Sequence, residues 1–321
     1  MNKDKQTLIN VHNISRYYGD HCAIDDISFS VARGEVLGFL GPNGAGKSTT
    51  MQIVCGVLAA SEGTVTIADY DIVDDARLAK QHLGFLPERP PLYEDLCVDE
   101  YLRYCARIRQ LPKNKLENAL ANSKERCGLQ DHGGRLIANL SKGYQQRVGI
   151  AQSIIHSPAV VILDEPTSGL DPAQIIEIRE LISELGTDHS VILSTHILSE
   201  VRSNCDRVLI VNRGKLVLDQ NINLIHGDAR SAMTIIALHN PPLPEEFEKI
   251  DGLSRVDCLD RNRFRITYEL DKDIPRRIAE IAAISDWGLF ELIPDNDSLE
   301  QTFMRLTSGE SASLDAAGAT S

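Results

Sequence analysis

Nine residues, Gly-Pro-Asn-Gly-Ala-Gly-Lys-Ser-Thr at 41–49, constrain this chain more than any other stretch. They follow a short apolar run at 35–40 and lead into a helical pattern over 48–58. Strand, glycine-rich loop and helix in that order make a cradle for phosphate. The glycines let successive backbone N–H groups turn toward one anion, and the helix N-terminus adds its dipole. A lysine at this place reaches the β and γ phosphates, and the hydroxyl after it is a hard ligand for Mg²⁺. Gly41, Pro42, Asn43, Gly44, Ala45, Gly46, Lys47, Ser48 and Thr49 are therefore candidate nucleotide-binding residues. Lys47 is also a candidate catalytic group, and Ser48 a candidate metal ligand.

A second stretch suits the same chemistry. Val-Val-Ile-Leu-Asp-Glu at 160–165 is an apolar strand that ends in two carboxylates. At the carboxyl end of a strand, Asp164 can orient the water shell of a metal, while Glu165 orients or deprotonates an attacking water.

The rest of the chain supplies a frame for these two strand ends. Residues 8–31 alternate loosely around Tyr17, Tyr18 and Gly19, which predicts strand, turn, strand. Residues 89–140 are polar, helix-rich and punctuated by proline. With a helix at 142–157 they form a helical insert of about 89–157. Strands at 160–163, 190–194 and 208–211 alternate with helices at 172–185 and 198–204, the pattern of a covered, largely parallel sheet. Near 226 the pattern changes to β (231–239), α (244–249), β (253–259), β (263–270), α (275–284), β (287–293), the ferredoxin-like order. A final helix at 298–307 places Leu299, Phe303 and Leu306 on one face, and residues 308–321 are small, polar and expected to be disordered. The expected division is 1–225, 226–307 and that tail.

Composition narrows the partners. Lysine and arginine total 33 against 46 aspartates and glutamates, a net charge of -13 that argues against broad binding to nucleic acid or anionic lipid. Seven cysteines without a C-x-x-C spacing spell neither a zinc ribbon nor a disulfide framework, so they read as packing residues in a reducing cytoplasm. No run approaches the roughly 18 apolar residues of a transmembrane helix, so service to a membrane would need a partner.

Leu-Ser-Lys-Gly-Tyr-Gln-Gln-Arg at 140–147 separates the possible families. It opens a helix with small residues, so that Ser141, the Gly143 amide and the helix dipole can face an anion. Here the chain resembles the signature of the ABC ATPases, the motor subunits of ABC transporters, and the resemblance covers about 1–225. It continues in order: Tyr18 matches the aromatic that stacks on adenine, Ser168-Gly169-Leu170-Asp171 the loop after the catalytic carboxylate, and His196 the switch histidine. The resemblance implies an α/β P-loop ATPase fold with a helical subdomain, here followed by a small α+β accessory domain. It implies ATP and Mg²⁺ as ligands and a head-to-tail pair, homodimer or heterodimer, in which Ser141 and Gly143 of one chain cap the γ-phosphate held by the other. Glu165 would orient the water, His196 would hold the γ-phosphate or Glu165, and Ser48 and Asp164 would hold the metal. Glu88 stands where many relatives have a glutamine; it can accept from metal-bound water but cannot donate as an amide can. It is carried as both a catalytic and a metal candidate. Lys142 and Tyr144 replace the commoner glycine and glutamine of the signature, a variant that resembles the drug, polysaccharide and gliding-motility exporters, as does Asp-Ser-Leu-Glu-Gln-Thr-Phe-Met-Arg-Leu-Thr at 297–307.

The implied function is an ATPase subunit peripheral to the cytoplasmic face of the inner (plasma) membrane, driving a separate permease, with no nucleic acid expected. The rival is a soluble ABC-type ATPase acting on DNA or ribosomes, which the charge and the single ATPase copy disfavour. Some residues carry two readings. Tyr18 stacks on a base or is a surface turn aromatic. His196 with Glu200 has the i, i+4 spacing of a metal pair, but no third ligand is in sight. Leu92 and Tyr93 fill the core of the insert or line a groove for a permease helix. The arginines between 255 and 277 form a patch or, with interspersed acids, a solvated surface.

Overall fold

The computed structural model describes residues 6–222, 231–242, 244–247, 250–269, 273–294, 303–304 and 306. The chain divides into two units, Met1–Asp219 and Gln220–Ser321. The change of pattern expected near 226 falls on 223–230, outside the described residues. So does most of the expected helix at 298–307, and all of 308–321.

The first unit opens with β1 (Thr7–Tyr18) and β2 (His21–Ala32), an antiparallel hairpin closed by Gly19, whose φ of +57° only glycine adopts without strain. β3 (Val36–Leu40) then runs through the phosphate loop into α1 (Lys47–Val54). α1 stops at Val54 rather than running to 58. Gly56 donates to the Ile53 carbonyl and Val57 to that of Gln52, the paired bonds of a Schellman motif. β4 (Glu62–Ile67) and β5 (Tyr70–Asp71) complete a sheet of order β2-β1-β4-β5.

Next come α2 (Ala76–Gln81), β6 (Leu83–Leu86) and the helical insert: α3 (Val98–Ile108), α4 (Lys113–Arg126) and α5 (Lys142–Ile154). α3 buries Val98, Tyr101, Leu102 and Ala106, one stripe at helical spacing, and Glu100 reaches back to accept from the Cys97 N–H that precedes the helix. β7 (Val160–Asp164), α6 (Pro172–Asp188), β8 (Ser190–Thr195), α7 (Leu198–Asn204), β9 (Arg207–Asn212) and β10 (Lys215–Asn221) follow. The resulting six-stranded sheet has the order β10-β9-β3-β8-β7-β6.

In that sheet β9, β3, β8, β7 and β6 pair in parallel, and β3, β7 and β8 are buried at every residue. The two-residue period divides their side chains between two cores. Leu37, Phe39, Val160, Ile162 and Ile192 pack with α1 and the antiparallel sheet. Val36, Val161, Leu163, Val191 and Leu193 pack with α3 to α6. Each fully buried aliphatic contributes about 1.5–3 kcal/mol, so the frame is held from both faces. The register sets Leu40 beside Thr195, and Asp164 beside Ser194. Three strands thus end together, and their following loops share one edge.

In the second unit β11 (Ser231–Leu238), α8 (Pro244–Phe247), β12 (Leu253–Cys258), β13 (Arg263–Glu269), α9 (Ile274–Ile284) and β14 (Leu289–Pro294) form a sheet of order β12-β13-β11-β14. Every described pair is antiparallel, and β13 lies between β11 and β12, the split βαβ arrangement of a ferredoxin-like unit. Phe247, Ile266, Ile278 and Trp287 belong to its core.

Candidate active site

At the shared edge of β3, β7 and β8 lies a cavity of about 700 Å³. Its floor is the phosphate loop. Gly44 and Gly46 take φ of +78° and +102°, turns that an L side chain adopts only with strain, and a Cβ at Gly46 would come within 2.9 Å of the Ala23 carbonyl. Asn43, Gly44, Gly46, Lys47, Ser48 and Thr49 face the cavity. Gly41, Pro42 and Ala45 lie behind it, where the carbonyls of Gly41 and Pro42 accept from Lys47 Nζ at 2.9 and 3.2 Å.

The acidic end of β7 meets the loop from the side. Asp164 is 2% exposed, and its Oδ1 accepts from Ser194 Oγ at 2.7 Å. Burial pushes its carboxyl above the usual carboxylate range. Hydrogen bonds from Ser194 and Ser48 draw it back, and the nearby charges of Glu165 and Glu88 raise it again. A cation would relieve that strain on the charged form. Glu165 sits in the left-handed region at φ +48°, held by its N–H donating to the Ser194 carbonyl at 2.8 Å. Its two oxygens point to two partners: Oε1 lies 3.2 Å from Lys47 Nζ and Oε2 lies 2.7 Å from His196 Nδ1.

These donors fit a magnesium nucleotide. Backbone amides and Lys47 match phosphate oxygens, whereas Ser48, Asp164 and Glu88 offer only hard oxygen ligands. Among the described residues no group of three or more histidines, cysteines or acids forms a metal cage, and Mg²⁺ usually completes its shell with water and substrate phosphates.

Tyr18, Glu88, Ser168 and His196 also line the cavity. The Tyr18 ring is 48% exposed and carries the Arg16 guanidinium 4.8 Å from its centroid, at the end of β1. Ser141 and Gly143 lie elsewhere in the chain, outside the lining. Ser141 is the N-cap of α5 and accepts from the Tyr144 N–H at 3.4 Å, while Gly143 packs so closely on the Gln174 side chain that a Cβ would meet it at 2.7 Å. Tyr144 stacks on His132 with centroids 4.2 Å apart. His196 and Glu200 do not form a metal pair: the Glu200 oxygens accept from Thr167 and Thr195.

Five further residues of the wall, His21, Cys22, Ala23, Arg213 and Gly214, carry no signal of that place in the sequence. Arg213 and Gly214, with φ of +49° and +78°, are the two left-handed residues of the turn between β9 and β10. Gly214 donates to the Ala45 carbonyl at 2.9 Å and accepts from the Asp25 N–H at 2.8 Å, so the turn is clamped between the phosphate loop and β2. The Asn-Arg-Gly-Lys stretch at 212–215 reads as a hairpin turn, but nothing in it says which loop it will meet.

A parallel sheet, a phosphate loop and two carboxylates at adjoining strand ends define a P-loop nucleotide hydrolase. The chain belongs to the ATP-binding proteins of ABC transporters and is an ATPase of that family. Residues 24–168 match the family model described as ABC transporter. The ABC transporter ATP-binding protein YhcH of Bacillus subtilis is 33% identical over 94% of this chain and 96% of its own length. The linearmycin resistance ATP-binding protein LnrL, also of Bacillus subtilis, is 30% identical over 94% of this chain and 98% of its own. A solved structure of the ATP-binding subunit of an ABC transporter superposes with a TM-score of 0.63 at 32% identity, covering 68% of this chain and 92% of that one.

Proposed function

We propose that two copies of this ATPase, or one copy and a paralogue, close head to tail around MgATP at the cytoplasmic face of the inner membrane and drive a separate permease, as an exporter. One observation carries the two-chain reading. Lys47, Ser48, Glu165 and His196 line one cavity, whereas Ser141 and Gly143, the anion-facing start of α5, lie outside it. A signature that lies outside its own chain's cavity is free to serve a partner's.

In this reading the amides of the phosphate loop and Lys47 bind the β and γ phosphates, and Tyr18 stacks on the base. Ser48, Asp164 and Glu88 would hold Mg²⁺, which supplies charge neutralisation to the phosphates. Glu165, aimed by His196, orients a water for in-line attack on the γ-phosphorus. The P–O bond to ADP breaks, phosphate leaves, and the proton of the water passes to Glu165 or to phosphate. Hydrogen-bond donors of the partner's signature complete the surround of the γ-phosphate.

Support for a permease partner comes from a groove of about 530 Å³ beside the helical insert. Leu92 packs on the core, but Tyr93 is 50% exposed and lines the groove with Tyr104 and Ile108. Exposed aromatics around a concave wall suit an apolar helix face. Among the described residues no helix is long and apolar enough to cross a membrane, so transport would need such a partner. The export reading rests on the signature variant and on the drug-resistance name carried by LnrL.

Glu165→Gln tests the chemistry. The variant should bind ATP as the parent does, run as a dimer of twice 35.4 kDa in size-exclusion chromatography with ATP, and lose at least about a hundredfold in turnover. Full retained turnover would overturn the assignment.

A further inference from the structure

Glu200 is a carboxylate that the chemistry above does not use, yet it is 1% exposed. Burying a charge costs several kcal/mol unless hydrogen bonds compensate, and an apolar cluster of the same volume would serve the fold at least as well. What it touches is informative. Oε1 accepts from Thr167 Oγ1 at 2.6 Å, and Oε2 accepts from Thr195 Oγ1 at 2.7 Å. Thr195 Oγ1 itself accepts from the Ile197 N–H at 3.0 Å, so its proton is committed to Glu200. Arg179 Nη2, 3.6 Å from Oε1, balances the charge from α6 and bonds Ser199 Oγ at 3.2 Å.

The two threonines flank the reacting pair. Thr167 lies two residues beyond Glu165, and Thr195 directly precedes His196. Glu200 reaches neither the cavity nor the pair itself. It joins the loop after β7 to the end of β8, whose side chains must meet at 2.7 Å for Glu165 and His196 to bond. We infer that Glu200 is a positioning residue for hydrolysis: its two oxygens clamp Thr167 and Thr195 and thereby hold the Glu165 carboxylate and the His196 imidazole in register. This rests on the reading of Glu165 and His196 as the groups that handle the attacking water.

Glutamine at this place has one oxygen, so one threonine loses its acceptor and one arm of the clamp opens. A displacement of about 1 Å can cost roughly a hundredfold in rate, and partial opening should cost at least about tenfold. The experiment measures kcat and KM for MgATP, and ADP affinity by calorimetry, on the purified full chain carrying Glu200→Gln, Thr167→Val, Thr195→Val, Thr167→Ser or Thr195→Ser. We expect kcat to fall at least about tenfold in the first three while KM and ADP affinity stay within about twofold, and the two serine variants, which keep the hydroxyl, to retain most of the parent kcat. Parent kcat in Glu200→Gln and both valine variants would overturn the inference. So would loss of ADP affinity in step with kcat, with serine no better than valine, because that pattern belongs to a general packing role. Glu165→Gln run alongside separates the premise: full turnover there defeats the reading of Glu165, whereas its loss beside unaffected Glu200 and threonine variants defeats only the clamp.

Discussion

Arg213 occupies a backbone conformation that costs a non-glycine residue about 1 kcal/mol, and it places a guanidinium on the cavity wall. Among the described residues it has no hydrogen-bond or ion-pair partner, while the other strong cation of the cavity, Lys47, is engaged by two carbonyls and Glu165. A cation left free on the wall of a phosphate site should add to nucleotide affinity without touching the chemistry. Arg213→Gln should therefore raise KM for MgATP by roughly three- to tenfold and leave kcat within twofold, the pattern of lost uniform binding in steady-state kinetics. Lys47, Ser48, Asp164 and Glu165 were legible in the sequence because each lies within a few residues of an apolar strand run that fixes its place. Arg213, in the β9–β10 turn, and His21 and Cys22, the first residues of β2, were not, because where a hairpin end lands depends on the assembled sheets. Glu200 was seen only as a spacing from His196; its bonds run to Thr167, far away in sequence.

Elements differ in the same way. β3, β7 and β8 announce themselves as continuous apolar runs because a covered parallel strand has no solvent face to mark. β6 is only Leu83–Leu86 and contains Gly84, where a Cβ would run into the Ser153 carbonyl of α5; it earns its place by close backbone approach, which no periodicity reports. α5 ends at Ile154, short of the expected 157, because Ser157 turns left-handed before Pro158. The α3 face has a readable consequence of its own. It buries Tyr101 and Leu102, yet leaves Tyr104 42% and Ile108 59% exposed in the groove. If that groove seats a permease helix, Ile108→Glu puts a charge against an apolar surface. When the tagged chain is purified from gently solubilised membranes, recovery of a polytopic membrane protein with it should then fall at least about tenfold relative to the parent, while ADP affinity of the isolated chain is unchanged. Undiminished recovery would mean that the permease docks elsewhere.

For the whole molecule, the separation of the two halves of the reaction site decides the behaviour. In the proposed dimer Lys47 and Glu165 act at one nucleotide, and Ser141 of the same chain acts at the other. A Lys47→Ala chain and a Ser141→Ala chain should each be nearly inactive alone. Mixed in equal amounts with MgATP, they form some heterodimers with one site made of two damaged halves and a second site made of an intact phosphate loop and an intact signature. Random pairing makes half of the dimers mixed, each with one working site of two, so the mixture should recover up to about a quarter of the parent rate if sites act independently, and less if both sites must fire together. Specific activity of the parent should also rise with chain concentration until the dimer saturates. If the signature instead served its own chain, every site in the mixture would keep one defect, and mixing would return only the sum of the two residual rates. A steady-state ATPase titration of one variant into the other distinguishes these outcomes directly, because only exchange of halves between chains can make an undamaged site from two damaged proteins.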